Sequence, residues 1–517
     1  MNETPVSAAR KWGTFAVCAL MALVPALDMT ALNQAVPHLT ADLRPSATQI
    51  LWIADAYGFA LAGLLITMGG VGDRVGHRRM LLTGAALFAA ASALTAYAGT
   101  AELLIAARAL LGVAGATLMP SALSLIRRVF TEPRERTAAI GMFSGVAGLA
   151  VGLGPVLGGA LLNHFWWGSV FLINVPIMLV VLVAGLLVLP ESRDPAPGRL
   201  DLVSVPLSAA GIVGLVYAVK EAAAHGPWRV EVGVAALVGV AGLVTFALRQ
   251  RRIVHPLIDV RLFGRVAFTG SVLTNMFAMF ALVAQSLIFS LYFQLVLGWS
   301  PLKSGLAGLP AAVGAMVGGA LLAPPLIRAT GRARAVGAGL ALSAVAYCGY
   351  LLSGVSADYA VLVVMMVAGG VGMGVAMTVT SDTVLASVPK DRSGAASAVS
   401  ETATELGGAL GLAVLGSVLN AVYRDRVAVP AGAPEAAARD SLASALETAA
   451  TLPPRVGGAL ASAARHAYVD GMHAALVCSA VLAALVAVAA LVTLRSVPAV
   501  IPDEAGGSDE PPVPALR

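Results

Sequence analysis

The chain has 517 residues, of which 58% are hydrophobic and 12% charged, with a formal net charge of +5. Soluble domains carry roughly 25% charged residues, so this deficit, sustained over such a length, excludes an ordinary soluble globule and implies many membrane spans. The basic residues sit in short clusters between apolar segments rather than on one continuous face, which excludes a nucleic-acid partner.

A membrane-crossing helix needs about twenty mostly apolar residues. Such segments fall near 14–36, 50–70, 80–98, 103–126, 137–162 and 170–189, then near 202–221 and 231–248. Six more follow near 267–297, 303–326, 335–353, 359–386, 395–419 and 473–494, giving roughly fourteen spans. The first stretch runs on past signal-peptide length without a small-residue cleavage site, so no cleaved leader is expected. Cys18, Cys348 and Cys478 lie inside apolar segments without metal-type spacing and read as small core residues.

Lys and Arg concentrate on one side of this layout, in DRVGHRR (73–79), RRVFTEPRER (127–136), RQRR (249–252), RATGRAR (328–334) and PKDR (389–392). The opposite short loops hold only Arg44, Lys220, Arg229 and Lys303. By the positive-inside rule the basic side, with both termini, is cytoplasmic, and the protein is expected in the cell membrane as a multi-pass chain. Trp12, Trp52, Trp166, Trp167, Trp228 and Trp299 fall near span ends, where amphipathic rings lie at the bilayer surface. The proline-rich stretch 190–199 reads as a cytoplasmic connection. The Ala-rich region 420–472 reads as a long external loop, helical or partly disordered, and 498–517 as a disordered cytoplasmic tail.

Ionisable residues inside spans are costly and mark working groups or buried pairs. Asp28, in LDMTALNQAVP, lies midway along the first span, and Thr30 and Gln34 give that helix a polar side. Asp55, near the outer end of the second, is flanked by Trp52 at i−3 and Phe59 at i+4, a frame suited to an organic cation or to the headgroup region. Arg108, in the fourth span, needs an acid, water or a carbonyl nearby. Gly112 and Gly115 on its stripe permit close helix approach. Glu401 and Glu405, four apart in SETATELG, form a candidate proton-binding pair. Asp382 reads as interfacial. In GVAGLAVGLGPVLGGALL (145–162), Gly154, Gly158 and Gly159 surround Pro155 and suggest a bent, tightly packed moving helix.

These motifs together resemble the major facilitator superfamily. Gly69, Asp73, Arg74, Gly76, Arg78 and Arg79 fill the positions of its loop motif, with His77 where a basic residue is more usual. Arg108 and Gly112 resemble the fourth-span motif, with Leu111 in place of the frequent glutamine. GLGPVLGG resembles the antiporter motif, with Ala150 where its first glycine often stands. WWGSVFLINVP, LDMTALNQAVP and SETATELG resemble the fourteen-span drug/proton antiporters, a branch that includes exporters of quaternary ammonium compounds, ethidium and acriflavine.

The resemblance implies an all-α polytopic membrane protein: a six-helix bundle at 14–190, an inserted helix pair at 202–248 and a second six-helix bundle at 267–495. RATGRAR then looks like a decayed copy of DRVGHRR, and Asp73 with Arg74 would latch the cytoplasmic side. The implied function is proton-coupled multidrug efflux of lipophilic, mostly cationic compounds by a monomer without cofactor or metal. Asp28, Asp55, Arg108, Glu401 and Glu405 would handle proton and substrate. A dedicated exporter of one endogenous metabolite or antibiotic is the alternative. An enzyme or ATP-driven pump is disfavoured, since the chain has no G-x-x-x-x-G-K-[ST] loop and no H-E-x-x-H helix.

Overall fold

The computed structural model describes residues 7–498 apart from 163, 192–200, 202, 227, 254–255, 357–358 and 389–392. Most of the 190–199 connection, the PKDR loop and nearly all of the 498–517 tail therefore lie outside the described residues, as do the side chains of Thr30, Gln34 and Pro155.

The described chain is helical, with no strand. In order come α1 (Ala8–Leu43), α2 (Ala47–Val75), α3 (His77–Ala96), α4 (Ala101–Val129), α5 (Pro133–Leu162), the short α6 (Ser169–Leu172) and α7 (Asn174–Val188). Then come α8 (Ser204–His225) and α9 (Val230–Gln250). The second half holds α10 (Val266–Leu291), α11 (Pro301–Met316), α12 (Ala323–Thr330), α13 (Arg332–Gly349), α14 (Tyr359–Ala386) and α15 (Ser393–Arg426). It closes with α16 (Glu435–Asp440), α17 (Leu442–Thr451) and α18 (Pro454–Thr493). Thirteen stretches among the described residues are long and apolar enough to cross a membrane. α5, with 30 residues and so about 45 Å of length, is also long enough to span.

Local chemistry sets the helix ends. Ser46 and Gln49 form a capping box at the start of α2, and Ser300 caps α11 with Pro301 in its first turn. Gly76 (φ 109°) turns α2 into α3, and Gly331 (φ 83°) turns α12 into α13, a backbone region that glycine enters without steric cost. DRVGHRR and RATGRAR thus make the same corner in the two halves.

α1 to α5 and α7 pack around Phe88, Leu111, Phe143 and Met178, and α10, α11 and α13 to α15 with α18 pack around Phe289, Tyr350, Met366 and Tyr468. These are the two bundles of the fold. The inserted α8 lies along the seam between them, its Ile212 and Val216 packed among Phe59 and Ile66 of α2, Val272 of α10 and Val399 of α15. α9 rests on α8 at glycines: a Cβ at Gly214 would lie 2.8 Å from the Gly239 nitrogen. Large apolar side chains such as Leu187, Leu237, Val345 and Val364 point outward, as a hydrocarbon solvent requires.

The polar contacts between the two bundles among the described residues cluster at the basic-loop end. The Asp73 carboxylate accepts backbone N–H groups of Gly394 (2.8 Å) and Ala395 (2.9 Å). Arg127 donates to the Val388 carbonyl at 2.6 Å, and Arg136 Nε donates to Asp382 at 2.7 Å. Arg328 lies 3.7 Å from Glu132. Glycine allows backbone contact here: a Cβ on Gly69 would sit 2.5 Å from the Gly394 oxygen, and one on Gly141 2.3 Å from the Gly319 carbonyl carbon. This end of the molecule is shut.

Several expectations change. Asp382, read as interfacial, is fully buried and bridges Arg136 of α5 to Arg332 of α13, with 2.7 Å to each. Its carboxylate needs two guanidinium partners at that depth, and the fold supplies both. Cys18 is buried, but Cys348 and Cys478 lie exposed on outward helix faces rather than in a core. Trp167 is buried, its ring N–H donating to Asp42 at 2.8 Å, while Trp12, Trp52, Trp166 and Trp228 are exposed. The 420–472 region is helical through the ends of α15 and α18 with α16 and α17 between, held by Tyr423 donating to the Ala438 carbonyl at 2.9 Å.

Candidate functional site

The first bundle holds a buried ion pair between Asp28 of α1 and Arg108 of α4, each 1% exposed. The second carboxylate oxygen accepts the Asn174 side-chain N–H at 3.2 Å, and Asn174 also donates to Ser92 at 3.4 Å. Arg108 Nε donates to the Ile53 carbonyl at 3.2 Å. The guanidinium carbon lies 5.0 Å from the Tyr57 ring centre and 5.8 Å from that of Phe171. Gly112 makes this possible, since a Cβ there would come within 2.3 Å of the Tyr57 carbonyl oxygen. α2 and α4 therefore touch backbone to backbone beside the pair.

A second group lies on the seam. Asp55 of α2 is ion-paired with Lys220 of α8, and the Lys220 ammonium sits 5.3 Å from the Phe59 ring centre. Trp52 and Phe59 are neighbours, with ring centres 6.0 Å apart, but Trp52 is largely exposed. Lys220, read from sequence as a loop residue, belongs to the body of α8. Asp55 thus has an internal cationic partner that the sequence reading did not assign.

Glu401 and Glu405 of α15 complete the set. Both are half-buried, and among the described residues neither makes a hydrogen bond or an ion pair. Glu405 lies within electrostatic reach of Glu401, of Lys220 and of Tyr57, and Tyr57 in turn of Asp28 and Arg108. The opposite face of α15 is fixed on α10, where a Cβ at Gly407 or Gly411 would collide with the Met276 or Phe280 carbonyl oxygen at 2.0 and 1.9 Å. Acids from α1, α2 and α15 thus lie near one Arg, one Lys and one Tyr across the join of the bundles, paired directly at Asp28–Arg108 and Asp55–Lys220 and only electrostatically at Glu405.

The loop residues lie elsewhere, at the shut end. Asp73 is buried and contacts His77 at 2.9 Å as well as α15. Arg74 donates to the Gly70 carbonyl at 2.8 Å and to Pro256 at 3.4 Å, so it ties α2 to the segment before α10. Arg78 donates to the Leu186 carbonyl at 2.6 Å, and Arg79 lies 3.7 Å from Glu191. In the outer half of α5 the helix runs unbroken past Pro155. Gly154 and Gly158 are buried, but a Cβ on Gly159 would meet open space. Close backbone packing of α5 is seen at Gly141 and Gly145, the latter 2.6 Å by the same measure from the Met316 Cβ.

Sequence reasoning passed over Asn174, Tyr57, Lys220, Arg136 and Arg332. Asn174 stands in the quoted WWGSVFLINVP as a lone amide in an apolar run, and that rarity was the available signal. Among the described residues no cluster of three His, Cys, Asp or Glu side chains is placed to hold a metal.

The sequence profile of the Major Facilitator Superfamily matches residues 18–412. The chain is 45% identical over 483 residues to the multidrug efflux pump LfrA of Mycolicibacterium smegmatis, covering 92% of this chain and 94% of that protein. It is 34% identical over 470 residues to the methyl viologen resistance protein SmvA of Salmonella typhimurium, covering 90% and 95%. It is 33% identical over 526 residues to the tetracenomycin C resistance and export protein of Streptomyces glaucescens, covering 99% and 96%. The crystal structure of the human organic anion transporter MFSD10 superposes with a TM-score of 0.59 at 15% identity, over 93% of this chain and 99% of that one, and speaks for the fold alone. Two six-helix bundles, a glycine-cornered basic loop in each half and a family profile spanning most of the length agree: this chain is a multi-pass membrane protein of the Major Facilitator Superfamily.

Proposed function

We propose that the protein exports lipophilic, mostly cationic compounds from the cell in exchange for protons. The observation that carries this is the half-buried Glu401 and Glu405 pair, four residues apart on α15 and without a hydrogen-bond or ion-pair partner among the described residues. Like charges in a low-dielectric site repel, so the pair calls for a neutralising cation. A proton or an organic cation meets that need, and competition between them is antiport. Asp28 extends the same chemistry. Protonation would release it from Arg108, freeing a buried guanidinium to seek other partners and so coupling proton entry to rearrangement of α1 and α4.

The Lys and Arg bias of the loops supports a cytoplasmic basic-loop end with both termini; in this reading the shut end is the cytoplasmic one and Asp73 with Arg74 is its latch. In this reading 14–190 and 267–495 rock against each other with 202–248 along their seam, as one chain and with no cofactor or metal. The relatives support drug export, being a multidrug efflux pump, a methyl viologen resistance protein and an antibiotic export protein by name. The last of these favours a second reading, a dedicated exporter of one endogenous antibiotic by the same exchange.

The test is ethidium efflux from proteoliposomes holding the purified protein, with and without an imposed pH gradient. Gradient-driven efflux is expected. Ethidium retained under a verified gradient would overturn broad cation export and leave the dedicated exporter, which a panel of anionic and neutral antibiotics then tests.

A further inference from the structure

The seam between the bundles holds an ammonium group of the protein's own. We propose that Lys220 is a tethered occupant of an organic-ammonium site made by Asp55 and Phe59, and that cationic cargo binds there by displacing it. This rests on the cation-export reading and adds the residue that sets affinity.

Four observations carry it. Lys220 and Asp55 are ion-paired although both come from apolar helices, with side chains 38% and 30% exposed, so the pair is not sealed inside the protein. The ammonium lies 5.3 Å from the Phe59 ring centre, the geometry by which aromatic faces hold quaternary and primary ammonium ions. The Phe59 ring is itself held in place by Tyr217 of α8, at 6.1 Å between centres, and by Trp52. Glu405, with no ion-pair partner among the described residues and within electrostatic reach of Lys220, supplies a second anion on the other side of the seam.

Carboxylate, aromatic face and second carboxylate are the parts of a cation site, and here the cation is covalently attached. A side chain on a packed helix is present at high effective concentration, so it excludes a free competitor for the fraction of time that it is seated. Because α8 belongs to the inserted pair, the pair has a role beyond filling the seam. It sets how strongly the carrier holds a cation. Dications, or cations with a larger aromatic surface, displace Lys220 more readily than small monocations, since they gain contacts that the lysine does not make.

A purely structural staple between α8 and α2 makes the opposite prediction, and the experiment separates the two. Ethidium binding to the full-length protein in detergent is measured by fluorescence anisotropy for wild type, Lys220→Gln, Lys220→Arg and Lys220→Gln/Asp55→Asn. Lys220→Gln is expected to bind ethidium about threefold or more tightly. Lys220→Arg, which keeps the tethered cation, is expected to stay near wild type, and Asp55→Asn in the double variant is expected to abolish the gain. Unchanged or weaker binding by Lys220→Gln overturns the proposal while leaving cation export standing. Absence of ethidium binding by wild type overturns both.

A measurement on wild-type protein covers the case in which the variants fail to fold. Saturating ethidium is expected to raise the labelling of Lys220 by an amine-reactive reagent, read by mass spectrometry, because the ammonium is driven off Asp55. Unchanged or reduced labelling overturns the displacement.

Discussion

The carboxylate of Asp73, at the last turn of α2, receives the backbone N–H groups of Gly394 and Ala395 at 2.8 and 2.9 Å across 321 and 322 residues of sequence. It acts as an N-cap supplied from the other bundle, meeting orphan donors and the positive end of the α15 dipole together. Asp73→Ala removes both acceptors, and a lost cap costs about 0.5–2 kcal/mol. The expected outcome is greater reactivity of an engineered cysteine at the basic-loop end and slower gradient-driven efflux. Wild-type values for both would remove the latch from Asp73.

Asp28 and Arg108 make a different prediction, because neither reaches solvent. Removing one partner of a buried pair costs about 3–5 kcal/mol, since the other charge stays behind. Arg108→Gln is therefore expected to lower the unfolding temperature in detergent more than the double variant Asp28→Asn/Arg108→Gln. The double variant is expected to fold and yet show no proton-coupled efflux. If it exports like wild type, the pair is structural.

Asp382 serves two arginines at once. Asp382→Asn leaves Arg136 and Arg332 facing an uncharged amide in the core, with an expected loss of about 3–5 kcal/mol. Thermal unfolding should register this as one of the largest single-residue effects in the second bundle. A change within the error of the melt would mean that the arginines find other anions.

Two glycines on α5 test where that helix is held. A Cβ at Gly141 collides with Gly319, whereas one at Gly159 meets nothing. Gly141→Ala is expected to pry the basic-loop end apart and impair efflux, and Gly159→Ala to leave both unchanged. Equal effects would show that contact at Gly141 does not set closure.

Asp201 offers a pH test outside the membrane spans. Arg249, bonded at 2.7 and 2.9 Å, holds its carboxyl below the usual range, helped by Ser204 and the Val203 N–H. A depressed folded value means that the pair's contribution is complete above the ordinary Asp value of about 4 and is lost as pH falls through the lowered one. The unfolding-temperature gap between wild type and Asp201→Asn should thus be constant near neutrality and narrow in acid. A gap that widens on acidification reverses the sign and rejects the argument.

Much of this architecture is legible in the sequence because a bilayer imposes one rule on every span. Apolar length and the Lys/Arg bias locate the helices without any knowledge of packing. Asp28 and Arg108 stand out for the same reason, as charges where charge is costly. Partnership is another matter. Asp382 looks interfacial until α5 and α13 each bring an arginine to it, and helix ends alone do not reveal that convergence. Lys220 falls at the edge of an apolar window and so reads as loop, although α8 continues beyond it. The glycines of GLGPVLGG draw the eye as a cluster, whereas Gly141 stands outside that motif and its close contact with Gly319 of the other half is not signalled by spacing.

α18 has 40 residues and α15 has 34, about 60 and 51 Å at 1.5 Å per residue, against a hydrocarbon core of about 30 Å. Away from the basic loops their ends form a buttressed spur with α16 and α17, packed at Ala438, Ala449 and Leu460. Membrane carriers of this size are nearly featureless inside a detergent belt, which hampers the alignment of their images. This one carries a helical landmark of its own, α16 and α17 between the ends of α15 and α18 in the second half. An antibody fragment raised against the spur would fix the particle's orientation, and it would do so without touching the seam on which transport depends.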